Sequence, residues 1–227
     1  MPSTTGRKPG DRVSIVIPCY KQAHFLSEAI ESALAQDYDN FEVIVVNDGS
    51  PDNTSEVARE YPVVLIEQEN KGLSAARNAG IKASTGSWIL PLDADNKLAP
   101  DFLSKTVGKD DIVGSWQQHF GTSDYLFKPI SPTIQELIRY NRLDAGSLFR
   151  KVIWETIGGY DEEMKDGWED WDFWIRAMVA GFTISIVEEP IFFYRKHEVS
   201  MARDAEAKGA EIIAYMFNKY KNYGLTR

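Results

Sequence analysis

The chain has 227 residues, 43% hydrophobic and 26% charged, so it can bury the core of one large domain or of two merged halves. Its formal net charge of -9 argues against a nucleic-acid partner and against an anionic lipid surface, because both would repel it. The single cysteine, Cys19, excludes an intrachain disulfide and a cysteine-rich zinc site, and it favours a reducing, cytoplasmic location.

The start of the chain has no pattern typical of a folded element. Residues 1–10 contain Pro, Ser, Thr, Gly and basic residues without an apolar core, so we predict a flexible tail and not a signal peptide. No apolar stretch of the sequence is long enough to be a transmembrane segment.

Strands and helices alternate through the first half. β-branched runs predict the strands, and apolar residues at helical spacing predict the helices between them. The predicted elements are strand Val13–Pro18, helix Phe25–Leu34, strand Phe41–Val46, helix Asn53–Glu60, strand Val63–Ile66, helix Leu73–Ala83 and strand Trp88–Leu92. This alternation predicts an α/β fold with a mainly parallel, Rossmann-like sheet flanked by helices on both faces.

The alternation loosens beyond Pro100. Candidate strands are Asp111–Ser115, Tyr125–Lys128, Ser147–Arg150, Thr183–Val187 and Ile191–Tyr194, and candidate helices are Thr133–Arg139, Val152–Ile157, Asp172–Ala180 and Ala205–Tyr220. No low-complexity linker separates the two halves. We therefore predict a single domain over residues 11–202, with a nucleotide-binding half (11–97) and an acceptor half (98–202), followed by a C-terminal helix within 203–227.

Acidic residues follow two of the predicted strands. Asp48 comes shortly after strand Phe41–Val46, and Asp93 and Asp95 follow strand Trp88–Leu92. Ligands of open α/β sheets bind beyond the carboxyl ends of the strands, so these acids predict one crevice with a divalent metal. Aspartates also make side-chain turns after strands, and that interpretation stays open for all three.

Six short motifs occur in a fixed order along the chain. They are Ser14–Tyr20, Val46–Ser50, Gly72–Gly80, Leu92–Asp95, Gly158–Asp172 and Tyr194–His197. Together they resemble the family 2 glycosyltransferases of the GT-A fold, which transfer a sugar from a nucleotide donor with inversion at the anomeric carbon. The resemblance covers roughly residues 12 to 201.

The resemblance implies a metal site at the aspartate pair. Asp95 is expected to be a direct ligand, and Asp93 to bind the donor ribose or, through water, the metal. His197, in the motif that resembles the family's closing loop, could add a nitrogen ligand, although a histidine in a polar loop is as often simply solvated. Such a site suits Mn²⁺ or Mg²⁺ as the cofactor.

The resemblance also implies the nucleotide contacts. Asp48 is expected to accept a hydrogen bond from the base, Pro18 and Tyr20 to lie against the nucleotide, and Arg77 to reach uracil or a phosphate. Each has a plainer alternative. Asp48 could make an Asx turn before Gly49, Tyr20 could pack at the rim, and Arg77 could be a solvated charge.

Asp170 and Glu169 are the predicted catalytic residues. The resemblance implies that Asp170 removes the proton of the acceptor hydroxyl, a task worth about 10²–10⁴ in rate. Glu169 could hold an acceptor hydroxyl, and Trp168 could stack on an acceptor sugar. Acids are also favoured at the start of a helix by roughly 0.3–1 kcal/mol, which is the alternative explanation.

The predicted function is transfer of a sugar from a UDP-sugar to an alcohol on a glycan or lipid carrier, as in cell-surface polysaccharide synthesis. An oligomer and peripheral contact with the inner face of the membrane are compatible with the sequence. The segment Leu143–Ser147 is a candidate for choosing the donor sugar. Two alternatives remain: a sugar nucleotidyltransferase, which usually has a glycine-rich basic loop after the first strand, and a catalytically silent sugar-nucleotide-binding module.

Overall fold

A computed structural model of the chain describes residues 11–197 and 209–220. The predicted tail and the remaining parts of the predicted C-terminal segment lie outside these residues. The first half contains β1 (Val13–Cys19), α1 (Ala23–Leu34), β2 (Phe41–Asp48), α2 (Thr54–Arg59), β3 (Val64–Gln68), α3 (Leu73–Ala83) and β4 (Trp88–Pro91). Each predicted element of this half is present, within two residues of its predicted bounds.

The second half is less regular. It contains β5 (Lys97–Leu98), α4 (Phe102–Thr106), β6 (Ile112–Gly121), β7 (Tyr125–Phe127), α5 (Ile134–Leu137), β8 (Leu148–Arg150), α6 (Lys151–Ile157), α7 (Glu169–Val179), β9 (Ile184–Lys196) and α8 (Gly209–Tyr220). The sequence did not predict β5 or α4, both of which are short.

The strands form one sheet. Over the described residues its order is β3-β2-β1-β4-β8-β6-β9-β5, with β7 paired to β6. The pairs β3–β2, β2–β1 and β1–β4 are parallel, as predicted. Beyond β4 the sheet is mixed, because β8, β7 and β5 run antiparallel to their neighbours. Parallel strands end at the same edge, so the segments after β1, β2 and β4 meet there.

Helices cover both faces of this sheet, which confirms the predicted α/β class. Alternate residues of β1 point to opposite faces: Ile15 belongs to the core cluster that contains α1 and α4 residues, whereas Val16 belongs to the cluster that contains α3 and α7 residues. On α3, a Cβ at Gly80 would lie 2.3 Å from Val16 Cγ1, so only glycine allows the helix to approach so closely. This contact fixes where Arg77, one turn earlier on α3, meets the sheet edge.

One long strand replaces two predicted strands. The segments Thr183–Val187 and Ile191–Tyr194 are both parts of β9, which pairs with β6 on each side of Pro190. The register between β6 and β9 shifts next to Trp116, which pairs with Pro190. This β-bulge accommodates the proline, which has no N–H to donate to the ladder.

The C-terminal helix α8 packs on the domain. Ile212, Met216 and Tyr220 are buried in the cluster that also contains α7. Lys219 Nζ lies 2.7 Å from Asp172 Oδ1, and the Tyr220 hydroxyl donates to the same carboxylate. In the part of the chain that is described, no helix combines the length and the apolar character needed to cross a membrane.

Candidate active site

The carboxyl ends of β1, β2 and β4 bring the predicted donor-site residues to one edge of the sheet. Pro18 is buried within β1, and Tyr20, just beyond the strand, is 41% exposed. Asp48 is the last residue of β2, and Asp93 follows β4. The exposed Tyr20 ring is therefore open to a ligand, whereas Pro18 shapes the backbone below it.

Asp48 is buried and holds the loop between β3 and α3. Its Oδ1 accepts from Gln68 Nε2 at 2.7 Å and from the Lys71 amide at 2.9 Å, and its Oδ2 accepts from the Gly72 amide at 2.9 Å. The turn at Gly49 is closed by the preceding Asn47, whose Oδ1 accepts from the amide three residues on at 2.8 Å. The side chain that closes this turn is therefore Asn47 and not Asp48, whose oxygens bond to the β3–α3 loop instead.

Arg77 is the centre of a buried ion-pair network. Its side chain is 1% exposed, its Nη2 lies 2.7 Å from Asp93 Oδ1, and its Nη1 donates to Glu169 Oε1. Although burial alone would lower it, the charges of Asp93 and Glu169 raise the pKa of Arg77. The guanidinium thus joins Asp93 to Glu169, which is 92 residues from Arg77 in the chain. This geometry gives no support to a direct contact with uracil or phosphate.

Asp95 contacts the predicted histidine ligand. His197 Nε2 lies 2.8 Å from Asp95 Oδ2, and Gln22 Nε2 lies 3.4 Å from the same oxygen. Burial, together with the charge of Asp93, raises the pKa of Asp95. A positive charge at this carboxylate would therefore be stabilising.

Two of the three predicted metal ligands, Asp95 and His197, are in contact, and all three are of a chemical type that binds divalent cations. Asp93 and Asp95 are close enough for the charge on one to raise the pKa of the other, and a cation would remove that repulsion. Carboxylate oxygens and an imidazole nitrogen suit Mg²⁺ or Mn²⁺. Over residues 11–197 and 209–220 no three His, Cys, Asp or Glu side chains form a ready-made metal centre, so phosphate and water would supply further ligands.

Asp170 stands in the first turn of α7, half-buried at the same cleft. Its Oδ1 accepts from the Trp171 amide at 2.8 Å, and its Oδ2 accepts from Asn141 Nδ2 at 3.1 Å. Burial, with the neighbouring charge of Glu169, raises the pKa of Asp170. A raised pKa suits a carboxylate that must take up a proton. Glu169 is 5% exposed and paired with Arg77, which leaves it little surface for an acceptor.

The turn before α7 is strained. Trp168 has φ 61° and ψ 18°, in the left-handed region, where a residue other than glycine costs on the order of 1–3 kcal/mol. Its ring packs edge-to-face on Trp171 at 5.5 Å, and Gly209 of α8 lies against its outer edge. The indole is thus engaged by the protein, and the turn sets the direction in which α7 presents Asp170.

The structure adds site residues that the sequence did not indicate. Arg195 Nε donates to the Asp95 carbonyl at 2.9 Å, and its Nη2 pairs with Glu28 of α1. β9 continues to Lys196, so the motif that resembles a closing loop is largely strand. Arg195 stands inside the motif Tyr194–His197, so the motif could have indicated it as a site residue. Asn141 lies in a stretch without motifs, which offers no such signal.

The fold is the predicted α/β, GT-A type, and its strand ends bring the predicted acidic residues together, as expected of a glycosyltransferase. The chain matches the model of "Glycosyl transferase family 2" over residues 14–156. It belongs to that family, as its motifs predicted.

Individual proteins agree with this assignment. An uncharacterized glycosyltransferase of Rickettsia prowazekii is 34% identical over 188 residues, which are 72% of this chain and 58% of that relative. The structure of S. aureus TarS 1-349 with UDP-GlcNAc has a TM-score of 0.74 at 19% identity, covering 91% of this chain and 66% of that one. Mannosyltransferase PcManGT from Pyrobaculum calidifontis, with GDP-Man and Mn²⁺, has a TM-score of 0.74 at 20% identity, covering 96% and 66%. The solved structures show the shared fold.

Proposed function

We propose that the protein is an inverting, divalent-metal-dependent glycosyltransferase that moves a sugar from a UDP-sugar to a hydroxyl of a glycan or lipid-linked acceptor. One observation carries the proposal: Arg77 ties Asp93, one of the proposed cation ligands, to Glu169, the neighbour of Asp170. Donor-side and acceptor-side carboxylates therefore line one cleft. The complexes of TarS with UDP-GlcNAc and of PcManGT with GDP-Man and Mn²⁺ support a nucleotide-sugar donor and a cation for this chain.

Asp170 acts as the base in this proposal. Its carboxylate takes the proton of the acceptor hydroxyl while that oxygen attacks the anomeric carbon on the face opposite the diphosphate. The bond from the anomeric carbon to the diphosphate breaks, and the nucleoside diphosphate leaves with that electron pair. A single displacement inverts the configuration. Asn141, 3.1 Å from Asp170 Oδ2, orients the base.

The donor side is held by residues at the strand ends. Asp93, Asp95 and His197 would hold the cation, and Arg77 fixes the orientation of Asp93. A divalent cation bound there supplies positive charge to the departing diphosphate. The exposed ring of Tyr20 is available to cover the base, and Asp48 fixes the loop that borders the nucleotide.

The metal assignment is tested by titrating UDP into the protein with and without Mn²⁺. We expect Asp95→Asn to lose at least about 10- to 100-fold of the metal-dependent affinity for UDP, because changing even an outer-shell partner of a metal ligand weakens metal binding by that order. Asp39→Asn, at an exposed aspartate outside the site, serves as the control. Unchanged metal-dependent affinity in Asp95→Asn would remove the assignment.

The reaction class is tested by incubating the purified protein with a panel of nucleotide sugars. Release of the nucleoside diphosphate, accelerated by an alcohol acceptor, is the expected result. Release of pyrophosphate from a nucleoside triphosphate and a sugar phosphate would point instead to a nucleotidyltransferase. Tight binding without turnover of any donor would indicate a silent binding module.

A further inference from the structure

The segment that leads into α7 carries the proposed base without regular structure of its own. Residues 158–168, which lie within the described part of the chain, join α6 to α7 without forming a helix or strand. They run directly into Glu169 and Asp170, so their conformation decides where the base stands. Contacts with other elements must therefore fix this segment, and α8 supplies several of them.

One ammonium group of α8 joins the two ends of this segment. Lys219 Nζ lies 2.6 Å from Asp161 Oδ2 and 2.7 Å from Asp172 Oδ1. The Lys219 side chain is only 26% exposed and that of Asp172 is fully buried, so salt and water screen these contacts poorly. Asp161 precedes Asp170 in the chain and Asp172 follows it. This lysine bridge, from Asp161 through Lys219 to Asp172, therefore closes a loop that contains the base.

Two tyrosines of α8 support the lysine bridge, one at each end. The Tyr215 hydroxyl donates to Asp161 Oδ2 at 2.8 Å. The Tyr220 hydroxyl donates to Asp172 Oδ1. Each carboxylate thus accepts from the ammonium group and from a phenol of the same helix, so α8 holds both ends of the segment in a defined direction.

A further contact of α8 lies beside the start of α7. A Cβ on Gly209 would lie 2.9 Å from Trp168 Cη2, so α8 begins against this indole. The same indole packs edge-to-face on Trp171, whose Nε1 donates to the Leu137 carbonyl at 2.5 Å. Trp168 has the left-handed backbone from which α7 begins. The C-terminal helix therefore braces the strained residue immediately before Glu169.

We propose that Lys219 is a positioning residue for glycosyl transfer. By holding Asp161 and Asp172, it fixes the segment that sets the position of the Asp170 carboxylate. This inference rests on the proposed function. A base must lie about 2.6–3.2 Å from the hydroxyl that it deprotonates, and a misplacement of about 1 Å can cost on the order of 10²-fold in rate. Lys219 acts through the segment and needs no contact with the substrate.

The experiment compares turnover by the wild type, Lys219→Met and Lys219→Arg. Turnover is release of UDP from UDP-glucose, UDP-galactose and UDP-GlcNAc, with water and with octyl glucoside as acceptors. We expect Lys219→Met to lower kcat about 10- to 100-fold through misplacement of the base. The KM of the donor and the Kd of UDP should stay within about twofold, because the donor side of the cleft is unchanged. Lys219→Arg keeps a cation that can donate to both carboxylates, so it should recover most of the lost kcat.

A double variant separates positioning of the base from a general loss of stability. If Lys219 acts through Asp170, Lys219→Met should cost nothing further in the Asp170→Asn background, because the group that it positions is already disabled. A purely structural role of Lys219 predicts instead that the two losses multiply.

Other variants test the lysine bridge without removing Lys219 or serve as controls. Asp161→Asn keeps the shape of the side chain and leaves Asp172 paired, and it should lower kcat about 3- to 10-fold, the equivalent of one ordinary hydrogen bond. Asn218→Ala, at an exposed position beside Lys219, should change no constant. Ile212→Val weakens the buried packing of α8 but keeps the bridge, so it should lower thermal stability without lowering kcat. Thermal unfolding checks that each variant is folded.

Four results would overturn the inference: full kcat in both Lys219→Met and Asp161→Asn, equal losses of kcat and of UDP affinity, multiplied losses in the double variant, or an equal fall of kcat in Ile212→Val. Each leaves the proposed function standing. Full activity of Asp170→Asn would remove the base assignment and this inference, while turnover by the wild type keeps the reaction class. A wild type that binds UDP but turns over no nucleotide sugar would overturn the proposed function and the inference with it.

Discussion

Replacing Arg77 with methionine tests the ion-pair network that joins the two sides of the cleft. The substitution keeps an unbranched side chain of similar length at a helical position but removes both charged hydrogen bonds. Glu169, 5% exposed, would then be a buried carboxylate without its cation. Asp93 is 29% exposed at its side chain and would be partly hydrated instead.

The exposed fractions of Glu169 and Asp93 determine how much stability Arg77→Met should lose. Breaking a buried ion pair by removing one partner costs about 3–5 kcal/mol. The more exposed pair with Asp93 adds only about 0–1 kcal/mol. We expect the free energy of unfolding to fall by about 3–5 kcal/mol, which lowers the urea midpoint by about 1–2 M for an m-value near 3 kcal/mol/M. Equilibrium urea unfolding, followed by tryptophan fluorescence, measures it.

A double-mutant cycle separates the ion pair from simple packing. Glu169→Gln in the Arg77→Met background removes the unpaired charge, so the double variant should be less destabilised than the sum of the two single variants. A loss below about 1 kcal/mol for Arg77→Met, or strictly additive costs in the cycle, would refute the reasoning.

Three further predictions concern individual carboxylates and α8. Asp170→Asn should lower glycosyl transfer by about 10²–10⁴ while the Kd of the donor is retained, and full transfer activity would disprove the role as base. Burial and the charge of Asp93 raise the pKa of Asp144 from 3.8 to about 7, so the folded state binds this proton more tightly than the unfolded state and the fold loses stability as pH rises through that range. The stability advantage of Asp144→Asn over the wild type should therefore grow between about pH 4.5 and pH 8 in chemical denaturation. A difference that stays constant with pH would contradict this prediction. Lys219→Met leaves Asp172, which is fully buried, with one hydrogen bond fewer and should cost about 1–3 kcal/mol in urea unfolding, whereas Lys109→Met, at an exposed lysine, should cost nothing measurable.

The first half of the fold was predictable because its signals are local. Strands β1 to β4 are short apolar runs, the helices between them have a 3.6-residue period, and turns such as Asn47–Ser50 have their own side-chain chemistry. Each element could therefore be recognised from a window of about ten residues. The order of the motifs then indicated the family.

The second half depends on pairings that no local window contains. Pro190 and the acidic residues before it look like a turn, but a bulge opposite Trp116 keeps β9 continuous. The environment of Arg77 likewise depends on Glu169, 92 residues away. An arginine among alanines on a helix does not reveal whether its partner is a ligand or a carboxylate of the same chain.

The length of β9 has a consequence for the cleft. This strand has 13 residues and joins the interior of the sheet at Ile184 to the cleft at Arg195 and, one residue beyond its end, His197. Because the hydrogen-bonded ladder with β6 extends as far as Lys196, both side chains are anchored to the scaffold before any donor arrives. The bulge at Pro190 sets the angle at which β9 enters the cleft. It therefore also sets how far the side chains of Arg195 and His197 extend into the cleft, although Pro190 is several residues from both.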